Sequence, residues 1–274
     1  MPTAPPTPVP VTNNLDLTGS VLRQGGILVA RLTSPPAGLT EASLYFTGVG
    51  YGMLPDPVTG NWYAYVGMPT WFTLGGYPIE VWSGETMLAR GWLDVTAGGF
   101  DYTEITIPPG PGGLVNDAAR VEAERVRVAG ILAGFTPQRH WSGPWIVPTQ
   151  GTVTSNFGEH RSINGAAYFA HTGHDIANAG GTPVYASASG SVAMAEELYL
   201  YGNSILIDHG VGVFSGYSHL QQILVVPGQF VNQGDLIGYM GSTGFSSGPH
   251  LHWEAAVRGV RVDPRHFTPN GVAP

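Results

Sequence analysis

The sequence predicts a mostly β fold: an N-terminal immunoglobulin-like β-sandwich, a connecting helix and a second β-rich domain. Three observations predict it. Charged residues are only 11% of the chain, while Gly 40 and Pro 23 make turns frequent, a balance that favours short strands over helix bundles. Short apolar segments recur between turn signals across both halves. A single stretch carries a sustained helical stripe.

The first dozen residues, M-P-T-A-P-P-T-P-V-P-V-T, lack the charged and apolar regions of a secretion signal. Residues 1–15 read as a disordered Pro/Thr-rich linker. Residues 16–98 read as the sandwich, with strands at Ser20–Arg23, Ile27–Leu32, Ala42–Phe46, Trp62–Val66, Pro78–Trp82 and Met87–Val95. Alternation is clearest at Ile79 and Val81, which share a face opposite Glu80 and Trp82. Leu44 and Phe46 likewise oppose Ser43 and Tyr45. Asp56-Pro57, Thr59-Gly60 and Gly75-Gly76 supply turns. This half carries no histidine and no evident chemistry, so a binding, spacer or shielding module is expected.

Residues 99–139 read as linker and connecting helix. Ile105–Gly113 marks a hinge by its Pro and Gly density. The helix is expected over Asp117–Ala133, capped by Asn116, with Val121, Val128, Leu132 and Phe135 as its apolar stripe. Gly134 and Pro137 stop it. Its many charges suggest a strut between two domains.

Residues 140–268 form the second domain, followed by a tail at 269–274. All nine histidines of the chain fall in this half. Strands are expected at Thr182–Ala186, Gly190–Ala193, Ser204–Asp208, Val211–Tyr217, Val225–Gln233 and Leu236–Met240. The net charge of −8, with eleven arginines as the only cationic side chains besides histidine, argues against nucleic acid. No apolar run is long enough for a transmembrane helix. The absence of cysteine excludes disulfides, thiolate zinc sites and a cysteine nucleophile.

Chemistry concentrates in four pieces. Ser246–Glu254, S-S-G-P-H-L-H-W-E, places His250 and His252 on one strand face and Leu251 and Trp253 on the other. That supports a metal site, a proton-transfer pair or both, set against two polar residues on a wet strand face. Ala170–Asp175, A-H-T-G-H-D, offers His171, His174 and Asp175 as ligands suited to zinc. Parity pairs His171 with Asp175 and sends His174 to the opposite face. Four extended residues span about 13 Å, so a bend is expected, with Gly173 the place for it, and His174 remains a competitor ligand. Tyr217–Leu220, Y-S-H-L, presents His219. Asp208-His209-Gly210 reads as a strand-ending turn with an Asp–His hydrogen bond. Spacing alone leaves open which of His250 and His252 binds metal.

The run H-T-G-H-D-I-A, G-T-P-V-Y-A and G-S-V, then G-N-S-I-L-I-D-H-G, Y-S-H-L and G-S-T-G-F-S-S-G-P-H-L-H-W-E, resembles the M23 family of metallopeptidases, the lysostaphin/LytM type. The likeness covers roughly Gly151–Phe267. It implies a lysostaphin/LytM-type β domain and one Zn2+ ion, with His171 and Asp175 as ligands through H-x-x-x-D and His252 as the third through H-x-H. It implies catalytic roles for His219 and His250. His174 departs from the family, where an apolar residue is usual, and Tyr168 is a further candidate near the first ligand. The function implied is a zinc endopeptidase cutting peptide stems or cross-bridges of bacterial peptidoglycan. A catalytically idle wall-binding or hydrolase-activating protein is the alternative. Such a substrate implies the cell envelope, periplasmic or secreted, with a leader missing from this sequence. The N-terminal domain is a candidate shield over the active site.

Overall fold

The computed structural model describes residues 14–18, 21–105, 117–163 and 169–269. The chain is mostly β and divides into two compact units. One comprises Leu28–Val66 and Thr73–Thr96 with the segment up to Leu22. The other comprises Arg23–Ile27, Gly67–Phe72 and the chain from Ala97 onward.

The first unit holds a four-stranded and a five-stranded sheet. Ile27–Leu32 and Trp62–Gly67 pair with the short strands Leu15–Leu17 and Leu54–Pro55 to form the first sheet. Ser43–Phe46, Gly75–Ser83 and Thr86–Thr96 lie in the second, flanked by Val49–Gly52 and Val21–Arg23. Alternation buries Leu44, Phe46, Ile79, Val81, Ala89 and Leu93 on one face. Strands at Leu15–Leu17, Val49–Gly52 and Leu54–Pro55 escaped the sequence pattern, because they are short and carry little alternation.

The second unit is built on a ten-stranded sheet. Its centre runs through Gly173–Ala177, His250–Val257, Val213–Ile223, Gly202–Asp208 and Gly190–Leu198, each antiparallel to the next. Near-continuous burial of Val213–Leu220 and Leu251–Val257 marks these as central strands. Val225–Gln233 is mostly loop, with only Phe230–Val231 as strand. Tyr102–Ile105 is a strand in this unit, parallel to His160–Ile163. The rest of the Ile105–Gly113 hinge lies outside the described residues.

The helix spans Ala118–Leu132. Its N-cap is Asp117, whose carboxylate accepts from Arg120 N at 3.0 Å; Asn116 lies outside the described residues. Val128 and Leu132 pack with Met194, Leu206, Phe214 and Ala256 of the sheet. The helix is therefore seated on this unit's sheet rather than standing free as a strut. Phe135 lies past the helix end, half exposed, beneath the Arg258 guanidinium at 3.7 Å. Among the described residues no helix is long and apolar enough to cross a membrane.

His209 ends the Gly202–Asp208 strand but does not bond Asp208 as expected. Its Nδ1 donates to the Ser189 carbonyl at 2.9 Å, and its Nε2 meets Ser215 Oγ at 2.8 Å. Asp208 instead accepts from Gly210 N and Thr136 Oγ1. The Trp145 ring lies 4.7 Å away, and the imidazole is fully buried. Burial pushes its pKa down to about 4. In the unfolded chain the group titrates near 6.5, so its contribution to stability is intact above that pH and is lost as pH falls toward 4. The loss amounts to about 3 kcal/mol at about 1.4 kcal/mol per pH unit. Urea unfolding at pH 7.5 and pH 4 is expected to show the unaltered chain losing about that much more than His209→Gln. Equal losses would remove His209 as the cause.

Candidate metal centre

Antiparallel pairing sets Asp175 directly opposite His252, and Ala177 opposite His250. Strand parity then places His250, His252 and Glu254 on the face that Asp175 shares. Leu251 and Trp253 are buried on the other face. His171 stands just before the Gly173–Ala177 strand. A Cβ at Gly173 would meet the Trp253 carbonyl oxygen at 2.4 Å, so only glycine lets the chain enter the sheet there.

Three atoms converge as a result. His171 Nε2 lies 3.0 Å from Asp175 Oδ1 and 3.1 Å from His252 Nδ1. His252 Nδ1 lies 2.8 Å from Asp175 Oδ1. Ligands of a tetrahedral zinc, each about 2.0–2.1 Å from the ion, stand about 3.3 Å apart. The observed triangle departs from that by only a few tenths of an ångström. All three residues are buried and form a group suited to a metal ion.

Each outward nitrogen is occupied. His171 Nδ1 donates to the Asn156 carbonyl at 2.9 Å, which leaves the Nε2 lone pair inward. His252 Nε2 faces Glu254 Oε1 at 3.2 Å, which leaves Nδ1 inward. Glu254 also accepts from the Thr172 hydroxyl and, at 2.9 Å, from Arg261 Nε. Asp175 Oδ2 accepts from Arg161 Nη2 at 3.1 Å. Such partners fix tautomer and ring orientation at metal centres.

The electrostatics agree with these contacts. Burial would raise the Asp175 carboxyl, but the His171 and His252 imidazoles beside it hold it well below the usual carboxylate range. Burial lowers His171. Burial would also lower His252, yet its hydrogen bonds to Asp175 and Glu254 raise it to about 9.

His219 and His250 stand beside the triangle, their rings 4.7 Å apart. His250 Nδ1 donates to the Gly248 carbonyl at 2.8 Å, and its Nε2 lies 3.9 Å from Asp175 Oδ1. His219 Nδ1 donates to the Thr243 carbonyl at 2.8 Å. Because a carbonyl only accepts, Nδ1 carries a proton in both rings, and Nε2 is the nitrogen left for proton exchange. Burial, with His252 and His250 nearby, pushes His219 down to about 4. Its φ of 64° is left-handed, a strained conformation for histidine.

His174 does not join the cluster. Paired with Trp253, it faces the far side of the sheet, where Nε2 meets Asp263 Oδ1 at 3.0 Å. Tyr168 lies outside the described residues. Glu254, Arg161, Thr172 and Arg261 were missed in the sequence. Only Glu254 had a signal there, two residues beyond His252 on the same strand parity.

A buried triangle of two imidazoles and a carboxylate, flanked by two further imidazoles, is a layout suited to a metal-dependent hydrolase centre. Residues 169–264 match Peptidase family M23. The chain therefore carries an M23 peptidase domain over that stretch. It is similar to the peptidoglycan DD-endopeptidase ShyA of Vibrio cholerae, 42% identical over 118 residues, 43% of this chain and 27% of that protein. It is also similar to the murein hydrolase activator NlpD of Salmonella dublin, 39% identical over 160 residues, 58% of this chain and 40% of that protein. The chain thus spans well under half the length of these relatives. Among solved structures, a candidate peptidase M23 from Pseudomonas aeruginosa aligns with TM-score 0.69 and 27% identity, covering 89% of this chain and 93% of the other.

Removing the carboxylate behind His252 is expected to weaken metal binding. Glu254→Ala should lower zinc affinity about ten- to a hundred-fold, measured by competition with a chromophoric chelator. Glu254→Gln, which keeps an acceptor, should lose less. Unchanged affinity in both variants would mean that Glu254 does not orient His252.

Proposed function

We propose that this chain is a zinc metallopeptidase that hydrolyses peptide cross-links of bacterial peptidoglycan. The observation that carries this is the convergence of His171 Nε2, Asp175 Oδ1 and His252 Nδ1 beside two imidazoles whose Nδ1 atoms are committed to carbonyls. Those three residues would hold one zinc ion, which would supply Lewis acidity toward a water and the scissile carbonyl. Two neutral imidazoles and one carboxylate leave it a net positive charge.

His250 and His219 do the proton work. With Nδ1 committed to a carbonyl, each Nε2 accepts a proton from the attacking water and returns it to the leaving amine. Between those two transfers the protonated ring donates a hydrogen bond to the developing oxyanion. Their likeness in place to the M23 pattern and the endopeptidase name of the Vibrio relative support peptidoglycan as the substrate. Peptidoglycan lies outside the cytoplasm, so the cell envelope, periplasmic or secreted, is the expected location.

A second reading has one specific support, the likeness to the Salmonella activator over 160 residues. A catalytically idle protein would bind wall or stimulate another hydrolase. The complete set of His171, Asp175, His219, His250 and His252 weighs against it, since an idle protein has no need of the full constellation.

Zinc content and turbidity clearing of purified wall separate the two. Asp175→Ala is expected to lose both zinc and wall hydrolysis. His250→Ala should keep zinc and lose about a hundred-fold or more in rate. Equal clearing by both variants and the unaltered chain would sink the mechanism. Wall binding without clearing by the zinc-loaded, unaltered chain would favour the activator.

A further inference from the structure

The helix Ala118–Leu132 lies before the stretch that matches the family, and one of its carboxylates is buried. Glu124 does not face solvent as its neighbours Glu122, Ala123 and Arg125 do. Its two oxygens accept four backbone hydrogen bonds from three successive amides, Tyr199 N, Leu200 N and Tyr201 N, at 2.5–3.1 Å. These amides form the turn between Gly190–Leu198 and Gly202–Asp208. A carboxylate that meets three backbone N–H groups holds them by charge-assisted bonds, roughly twice as strong as neutral ones.

Carbonyls of the same turn face the candidate site. The Leu200 carbonyl accepts from Phe245 N at 2.8 Å, and the Tyr201 carbonyl accepts from His219 N at 2.9 Å. Phe245 lies in the loop that carries Ser246, Gly248 and then His250. Thr243 in that loop offers the carbonyl to which His219 Nδ1 donates, while its hydroxyl accepts from Asn203 N. The Tyr201 hydroxyl accepts from Arg261 Nη2 at 3.3 Å, and Arg261 pairs with Glu254 behind His252. One turn therefore contacts the support of His219, of His250 and of His252.

We infer that Glu124 is a positioning residue, fixing the Tyr199–Tyr201 turn so that its carbonyls hold His219 and the loop leading to His250 in place. This rests on the peptidase function proposed above, where those two imidazoles move protons. His219 needs such a hold, because its backbone is strained at φ 64° and relaxes unless the surroundings oppose it. Of the three proposed metal ligands, His171 and Asp175 lie away from this turn, and His252 is reached only through Tyr201, Arg261 and Glu254, so Glu124 acts on the proton-moving pair more than on metal binding.

The test uses the full chain with Glu124→Gln and Glu124→Ala, and Glu122→Gln as an exposed control on the same helix. Amide hydrogen exchange comes first. In the unaltered chain the amides of Tyr199, Leu200 and Tyr201 are expected to be protected despite their place in a hairpin turn; rapid exchange there overturns the proposal without any variant. In Glu124→Gln, exchange at these amides and at His219 N should rise at least ten-fold, with zinc affinity within about two-fold of the unaltered chain. Wall hydrolysis should fall about ten- to a hundred-fold, as misplacement by a fraction of an ångström to an ångström does. Glu122→Gln should change none of these. If the unaltered chain does not cleave wall, the peptidase function fails while the exchange data and the imidazole NMR shifts of His219 and His250 still judge Glu124. Glu124→Gln matching the unaltered chain in exchange and in those shifts overturns the inference.

Discussion

The candidate site depends on where each imidazole sends its second nitrogen. His171, His219 and His250 each donate Nδ1–H to a backbone carbonyl, and His252 turns Nε2 to the Glu254 carboxylate. In a neutral ring, an acceptor on the outside leaves the lone pair on the inside. Four inward nitrogens are thus selected by three loop carbonyls and one carboxylate of a central strand. The outer partners also lock the rings against rotation, so tautomer and orientation come from the same contacts.

Those contacts are consequences of sheet register. Asp175 faces His252 because Gly173–Ala177 and His250–Val257 are paired in that register and no other. A slip by one residue would send Leu251 and Trp253 to the polar face and the histidines into the core. The apolar side of the sheet therefore protects the polar side: burial of Leu251, Trp253 and Ile176 is what keeps the ligands aligned. Glycine at 173 is part of the same constraint, since backbone contact with Trp253 leaves no room for a side chain.

Much of this was legible in the sequence, and the parts that were not share a cause. The mostly β character, the helix within a residue of its ends, and the strands Ile27–Leu32 and Leu236–Met240 follow from local periodicity. The grouping of His171, Asp175 and His252 followed from the likeness to a family, since parity alone did not choose between His250 and His252. Arg161, Thr172 and Arg261 were invisible because their roles arise from pairing across 7 to 82 positions of sequence. Glu124 was hidden for the opposite reason. Its surroundings, with Glu122, Arg125 and Arg127, look like a solvated helix face, and only the seating of the helix on the sheet reveals which carboxylate is inside. The Asp208–His209 contact failed because a strand-ending turn left His209 facing Ser189 and Ser215 instead.

The carboxylate of Asp175 is divided between two duties. Oδ1 belongs to the triangle with the two imidazoles, while Oδ2 is held by the Arg161 guanidinium. A cation seated among the three residues would meet one oxygen of Asp175, since the other is engaged by an arginine on His160–Ile163, a strand of a different sheet. Single-oxygen ligation would leave room around a small divalent ion for further ligands. The same guanidinium would disfavour larger ions such as calcium, which gather six to eight oxygens and readily take both from one carboxylate.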